Sequence, residues 1–341
     1  MSFPLKKAQS PASEAKAAKG KEKSPTPGPA SPTEAKSPTP GPASPVPRQP
    51  SEPTNLSLLS GAHWGEQEVD DDNDSTLGSD AENSTASISS SIIQYRNVLG
   101  RTYYSDSGPN NDKANEMLDI IYATMVILFD GKLYTSLLND KEIKNDWVLL
   151  NVRFEIDDAT KEWTYPENHF DFVHLRFMTG VIKDWDALYK EVYRCAKPGA
   201  WIEHLDGDAD WICLDGTMPH NSALAQWGPM WKEVGRKTGL EFCVASSGKM
   251  EKGMKNAGFT NVTSENYYVP ISPWSDDQKM KQLGLYQSTA LTHDLEGFMV
   301  YFLPNYLGWT PKEIANYAAI CRKEFREGKI HSNIRWRVVR A

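Results

Sequence analysis

From residue 151 to the C-terminus the sequence alternates short apolar runs with segments of helical periodicity. Residues 151–159 are predicted to form a strand followed by an acidic turn, and residues 170–176 form the next predicted strand. Residues 197–203 are predicted to be a turn that leads into a third strand. Strands that alternate with helices are typical of α/β layer folds. We therefore predict an α/β domain over this part of the chain.

The predicted helices rest on apolar residues at intervals of three and four. One helix is predicted over residues 113–129, where Asn111 and Asp112 can cap its start and Gly131 can end it. Thr310, Pro311 and Glu313 have the spacing of a helix cap and its reciprocal partner. The remaining predictions are a helix that opens at residues 90–96, helices over residues 185–196, 221–235, 248–257, 276–302 and 311–327, and strands over residues 201–205 and 331–339.

The N-terminal quarter of the chain has a different composition. Residues 1–88 are rich in Pro, Ser, Ala, Lys and acidic residues, and the sequence of residues 23–32 recurs unchanged as residues 36–45. Such a segment cannot bury enough apolar surface to offset its conformational entropy. We therefore predict a disordered tail over residues 1–88 and one folded domain over residues 89–341.

Composition limits the classes of partner and the compartment. The net charge of −8 gives no electrostatic reason to expect a nucleic acid as partner. Four widely separated cysteines favour a reduced intracellular protein over a disulfide framework or a metal site. The longest apolar run, residues 120–129, is too short to span a bilayer. We expect a soluble protein of the cytoplasm or nucleus, without a membrane partner.

Several short motifs follow one another in order from residue 90 onward. They include Gly100-Arg101-Thr102-Tyr103, Asp130-Gly131-Lys132-Leu133-Tyr134, residues 152–159, Lys197-Pro198-Gly199, Gly258-Phe259 and Leu307-Gly308-Trp309-Thr310-Pro311. In this order they resemble the fungal LaeA/UMTA-type class I methyltransferases. The resemblance covers residues 90–341. It implies a Rossmann-like fold, S-adenosylmethionine (SAM) as cofactor, and a place in fungal secondary metabolism.

The sequence departs from this family where the cofactor should bind. Family members carry a glycine-rich turn after the first strand and an acid at the end of the second, within a βαβ unit of about 30 residues. The glycines let the cofactor lie against bare backbone, and the acid accepts hydrogen bonds from the ribose. Residues 133–151 leave no room for this unit and contain no glycine. The segment is therefore interpreted as deleted, which predicts a truncated sheet.

The resemblance leaves three candidate residues for a residual cofactor site. Asp157 occupies the position of an acid that faces the adenine, Asp158 lies beside it, and Arg176 follows the next strand near the methyl group. A solvated acidic turn and a surface ion pair are the competing interpretations. His174 and His204 are the histidines in the strand pattern near this edge, and a structural role competes with that of a general base. The sequence therefore assigns no catalytic residue and no metal ligand.

The loss of two strands has a consequence for the sheet. A buried strand cannot leave its backbone groups unpaired, so residues 152–156 are predicted to pair directly with residues 170–176. Alternatively, residues 133–138 and 147–150 fill the gap. Either arrangement predicts a shallow, apolar cleft beside Tyr103, Tyr104 and Phe177, which suits an aromatic molecule better than a charged cofactor.

Two functions remain open on the sequence alone. In the first, the chain is an accessory or regulatory pseudoenzyme that does not bind SAM and that binds a small aromatic metabolite or another pathway enzyme. In the second, it is an active SAM-dependent methyltransferase whose cofactor segment is missing from this sequence.

Overall fold

The computed structural model describes residues 57–69, 96–98, 101–103, 109–136 and 158–341. Two short strands, β1 (Arg96–Val98) and β2 (Arg101–Tyr103), pair as an antiparallel hairpin. The main sheet contains β3 (Phe170–Arg176), β4 (Ala196–Cys213), β5 (Thr263–Pro270) and β6 (Ser332–Arg340). Its strand order is β3-β4-β6-β5. β3 and β4 are parallel, whereas β6 is antiparallel to both of its neighbours.

Helices pack around this sheet. They are α1 (Gly61–Gly65), α2 (Asp112–Leu128), α3 (Trp185–Cys195), α4 (Ala223–Thr238), α5 (Val244–Ser247), α6 (Lys249–Ala257), α7 (Gln278–His293), α8 (Leu295–Phe302) and α9 (Pro311–Glu327), with a π-helical turn at Leu303–Leu307. Within the described ranges, no helix combines the length and the apolar character that a membrane span requires. The predicted α/β fold is confirmed.

Local sequence signals located most helices within a few residues. α9 begins and ends at its predicted residues. A capping box fixes its start, because Thr310 Oγ1 accepts a hydrogen bond from the Glu313 amide and Glu313 Oε2 accepts one from the Thr310 amide. Gly131, after α2, has the positive φ of 84° that its predicted role in ending the helix requires. The positions of these helices are therefore set by interactions between residues that are close in sequence.

β4 differs most from its prediction. The predicted strand covered residues 201–205, whereas β4 contains 18 residues and continues to Cys213. Its C-terminal half contains Asp206, Asp208 and Asp210, which typically favour loops. Asp206 and Asp208 are buried at 1% and 2% exposure, so their tertiary partners decide the conformation here.

β3 pairs with β4 along one edge. The predicted partner of its other edge, residues 152–156, lies outside the described residues, as do residues 137–150. Of the alternative segment 133–138, the structure describes residues 133–136, which form no strand. The direct pairing of residues 152–156 with β3 stays a prediction.

Residues 57–69 correct part of the tail prediction. They contain α1, and Trp64 is buried at 2% exposure with its ring 5.0 Å from that of Tyr317. Asn316 Nδ2 donates to the carbonyls of Trp64 and Gln67, at 3.1 and 3.2 Å. Leu58 and Leu59 also pack against this core, but so short an apolar run has no periodicity that could have indicated the contact. The tail prediction is therefore wrong for residues 57–69, while the boundary at residue 88 is otherwise untested.

Replacing Trp64 by alanine is expected to destabilise the domain by about 3–5 kcal/mol, because the change empties a buried aromatic site. The free energy of unfolding in urea measures the effect. Glu66→Ala, an exposed change next to the same helix, is the matched control and should have little effect. Equal stabilities of the two variants would mean that this segment does not contribute to the core.

Candidate functional site

A cavity of about 290 Å³ lies beyond the carboxyl end of β3, where β4 continues past its partner strand. Its walls come from α2, the loop after β3, β4, α4, α7, α8 and β6. The lining is mainly apolar and is rich in aromatic residues, which include Trp211, Trp227, Trp231, Phe298, Phe302 and Trp336. Ligands of α/β proteins typically bind at this edge of the sheet. We refer to this space as the aromatic cavity.

The indole rings in the wall are held by one another. The rings of Trp211 and Trp227 stack at 4.3 Å with an interplanar angle of 3°, and Trp231 meets Trp227 edge to face at 5.6 Å. Such pairs fix ring orientation beyond simple burial. The cavity therefore has a preformed wall against which a flat ring can stack.

Asp206 fixes the loop that follows β3. Its carboxylate accepts hydrogen bonds from the amides of Met178 and Thr179, at 2.7 and 3.0 Å, and from Thr179 Oγ1 at 2.6 Å. Gly180 follows with a φ of +74°, and a Cβ there would lie 2.6 Å from the ring of Phe242. The loop thus closes tightly over the aromatic cavity.

A buried row of side-chain hydrogen bonds leads from Tyr189 through His204 to Asp206. Tyr189 Oη lies 2.6 Å from His204 Nδ1, and His204 Nε2 lies 3.2 Å from Asp206 Oδ2. Burial raises the pKa of Tyr189, so its hydroxyl stays protonated and donates to Nδ1. Nε2 then carries the hydrogen and donates to Asp206. His204 therefore links α3 to β4, and the structural interpretation of this histidine is the one that the contacts support.

The second predicted histidine, His174, faces a different carboxylate. Its Nδ1 lies 3.4 Å from Oε1 of Glu203, which also accepts hydrogen bonds from Thr135 and from Ser136 Oγ. Burial alone would raise the pKa of Glu203, but the contacts from His174, Ser136 and Thr135 outweigh it and lower the pKa. Glu203 thereby holds the segment after α2 against the sheet, and His174 is not part of the described cavity lining.

Of the three predicted cofactor-binding residues, the structure describes Asp158 and Arg176. Asp157 lies outside the described residues. Asp158 is exposed and closes its own turn, accepting from the amide and hydroxyl of Thr160 at 2.9 and 2.6 Å, which lowers its pKa. Arg176 is exposed, with its guanidinium 5.1 Å from the ring centre of Tyr122. Neither Asp158 nor Arg176 belongs to the described cavity lining, and their assignment to a cofactor site stays a prediction.

Phe177 lines the cavity, as the sequence predicted, whereas the side chains of Tyr103 and Tyr104 lie outside what the structure describes. Sequence reasoning missed the polar residues of the wall, Asp206, Asp208, Gln287 and Asp294. They come from two separate parts of the chain, β4 and α7 with its C-terminal cap, and no local motif joins these parts. Among the described residues, no three His, Cys, Asp or Glu side chains form a group that could hold a metal ion.

Tyr189→Phe should destabilise the protein by about 1–3 kcal/mol, because it leaves His204 Nδ1 buried without a donor. Tyr193→Phe, on the same helix but 48% exposed, is the control and should leave the free energy of unfolding unchanged. A Tyr189→Phe variant as stable as the control would contradict the inferred hydrogen-bond chain.

Glu203 should contribute to the pH dependence of stability. Its folded-state pKa is lowered, so its contribution is present above the unfolded-state pKa of about 4.3 and is lost as pH falls through the folded value. Glu203→Gln should therefore cost about 1.5–3 kcal/mol at pH 7 and show a shallower loss of stability in acid. Urea unfolding at several pH values measures this, with the exposed change Glu265→Gln as control. Parallel pH profiles for Glu203→Gln and the wild type would contradict the assignment.

Comparisons with known proteins identify the family. Residues 98–264 match the model of a methyltransferase domain family. Methyltransferase pytC of Aspergillus terreus is 28% identical over 292 residues, covering 74% of this chain and 89% of that protein. The probable methyltransferase tdiE of Emericella nidulans is 31% identical over 182 residues, and the chain spans 56% of its length. The secondary metabolism regulator laeA of Aspergillus fumigatus is 24% identical over 175 residues, and the chain spans 46% of its length.

Among solved structures, a phosphoethanolamine N-methyltransferase 2 of Haemonchus contortus aligns with a TM-score of 0.31 and 19% identity. The alignment covers 54% of this chain and 35% of that one. A likeness at this level carries no argument about function. The family match and the fungal relatives, together with the α/β sheet, show that the chain is similar to the class I methyltransferases of the fungal LaeA-like kind.

Proposed function

We propose that this chain is an accessory or regulatory protein of fungal secondary metabolism that binds a small aromatic metabolite in the aromatic cavity and does not bind SAM. The observation that carries the proposal is the aromatic lining of a cavity at the edge of the sheet where this fold binds its ligands. Its volume, about 290 Å³, is roughly twice that of an apolar cavity known to hold benzene. A ligand of two fused rings therefore suits its size.

The sequence between the hairpin and the sheet supports the loss of SAM binding. No glycine occurs from residue 132 to residue 179, so the turn that lets a cofactor approach bare backbone is missing. The alignment with pytC spans 292 residues, whereas 74% of this chain is about 252 residues. About 40 aligned positions of the relative thus have no counterpart here, which is enough for one βαβ unit. Asp158 and Arg176 have other contacts, as described above.

The names of the relatives support a role in secondary metabolism. Relatives of this chain include proteins named as secondary metabolism regulators in Cochliobolus heterostrophus and Aspergillus fumigatus. The chain spans 60% and 46% of their lengths. A protein that keeps an aromatic site but not the cofactor site can act by holding a metabolite or by delivering it to another pathway enzyme.

An active SAM-dependent methyltransferase is the second candidate. The observation that favours it is that the family match, over residues 98–264, extends to both sides of the region where the cofactor unit is missing. An intron between the codons for Lys144 and Trp147 that translates in frame into a glycine-rich βαβ unit would support this candidate. Genomic sequencing of that interval decides between a deletion and a missing segment.

Calorimetric titration tests the cofactor part of the proposal. SAM should give no binding heat with this chain, because each lost hydrogen bond to a buried or charged group costs about 1–3 kcal/mol and several are lost together. A dissociation constant in the micromolar range would contradict the proposal and would favour the active enzyme.

A pair of leucine variants tests the aromatic cavity. Leu118 lines the cavity and is 48% exposed, whereas Leu285 is 54% exposed and is not in the described lining. Leu118→Trp should obstruct the cavity and weaken the binding of naphthalene about tenfold, equivalent to about 1.4 kcal/mol. Leu285→Trp is the matched control and should bind as the wild type does. Equal weakening in both variants, or no naphthalene binding by the wild type, would contradict a ligand site here.

A further inference from the structure

The wall of the aromatic cavity also contains polar atoms that have no partner among the residues that the structure describes. Gln287 and Asp294, exposed by 2% and 0%, both lie in its wall. Gln287 Oε1 and Asp294 Oδ1 make no hydrogen bond, although both atoms are buried. The great majority of buried polar side-chain atoms do have a partner, so two unpaired acceptors in one cavity wall require an explanation.

The two acceptors lie on one face of one helix. Gln287, Leu291 and Asp294 are spaced by four and three residues along α7 and its C-terminal cap, and all three line the cavity. At 1.5 Å per residue, the two polar residues are about 10 Å apart along the helix axis. The wall between them is apolar because Leu291 occupies it. A rigid ligand lying along this face therefore meets an acceptor near each end.

The charge of Asp294 is already compensated. Its other oxygen, Oδ2, accepts a hydrogen bond from Nη2 of Arg101, which is itself 2% exposed. A ligand therefore does not need a positive charge to balance this carboxylate. Trp231 Nε1, also in the wall, is a buried donor without a partner. A hydroxyl group can donate and accept, whereas an ammonium group can only donate, so the wall as a whole favours a hydroxyl.

On these grounds, and resting on the proposed function, we propose that the aromatic cavity selects a neutral hydroxylated aromatic compound, whose hydroxyl groups donate to Gln287 Oε1 and Asp294 Oδ1. The aromatic rings of the wall bind the ring system of the ligand. Gln287 and Asp294 are the residues that determine which hydroxylation pattern of that ring system is bound.

A series of three probes tests this specificity on the full-length protein. Naphthalene has no hydroxyl group, naphthol has one, and a naphthalenediol with hydroxyls at opposite ends has two. Calorimetric titration of the wild type should give affinities that rise along the series, with the diol at least tenfold tighter than naphthalene. Equal affinities for all three probes would overturn the assignment of the acceptors but leave the cavity as an aromatic site. Failure of every probe to bind would overturn the proposed function and this inference with it.

A matched pair of glutamine variants tests the role of Gln287. Gln287→Met keeps the length of the side chain and removes the acceptor, whereas Gln282→Met makes the same change at an exposed position of α7. Gln287→Met should weaken binding of the diol about tenfold and leave naphthalene binding unchanged. Gln282→Met should bind all probes as the wild type does. If Gln287→Met lost equal affinity for the diol and for naphthalene, the effect would be structural and the assignment would be overturned. If this variant does not fold, the affinities of the wild type for the three probes still decide the question.

Discussion

The structure depends on the burial of polar side chains along one strand, β4. Glu203, His204, Asp206 and Asp208 are each at most 2% exposed. A buried carboxylate without hydrogen bonds is very costly, so each of these groups must find partners elsewhere in the chain. The partners that they find join the segment after α2, the helix α3, the loop after β3 and the start of α5 to the central sheet.

Asp208 illustrates how these requirements organise the fold. Its Oδ1 accepts a hydrogen bond from the Ser246 amide at 3.0 Å, and its Oδ2 lies 3.3 Å from Nη1 of Arg335 on β6. Burial nevertheless raises the pKa of Asp208, against the opposing effects of Ser246 and Arg335. The acids of this strand are therefore hydrogen-bonded to the surrounding elements, and the strand lines the aromatic cavity together with the indole rings of α4.

The part of the sheet that the structure describes is held by its own polar contacts and its aromatic core, and it forms a ligand cavity from its own residues. Two buried acceptors in the wall of this cavity, Gln287 Oε1 and Asp294 Oδ1, have no partner among the described residues. Under the proposed function, the aromatic cavity is the binding site that the protein uses.

The resemblance to LaeA-like methyltransferases, the α/β class and the position of helix α9 were all determined by the sequence. Motif order, helical periodicity and the capping of Pro311–Glu327 act over short distances along the chain. The position of β3 also agreed with its apolar pattern. Asp157 and the pairing of residues 152–156 remain predictions.

Only the tertiary structure decided which polar residues are buried and which form the cavity. Trp64 joins the core through a contact with Tyr317, which lies more than 250 positions away. Gln287 and Asp294 reach the cavity wall because α7 packs against α2 and β5. β4 extends because its acids find partners on other elements. The free energy of burying each such polar group depends on neighbours that are distant in sequence. A pattern of residue types along the chain therefore cannot reveal it.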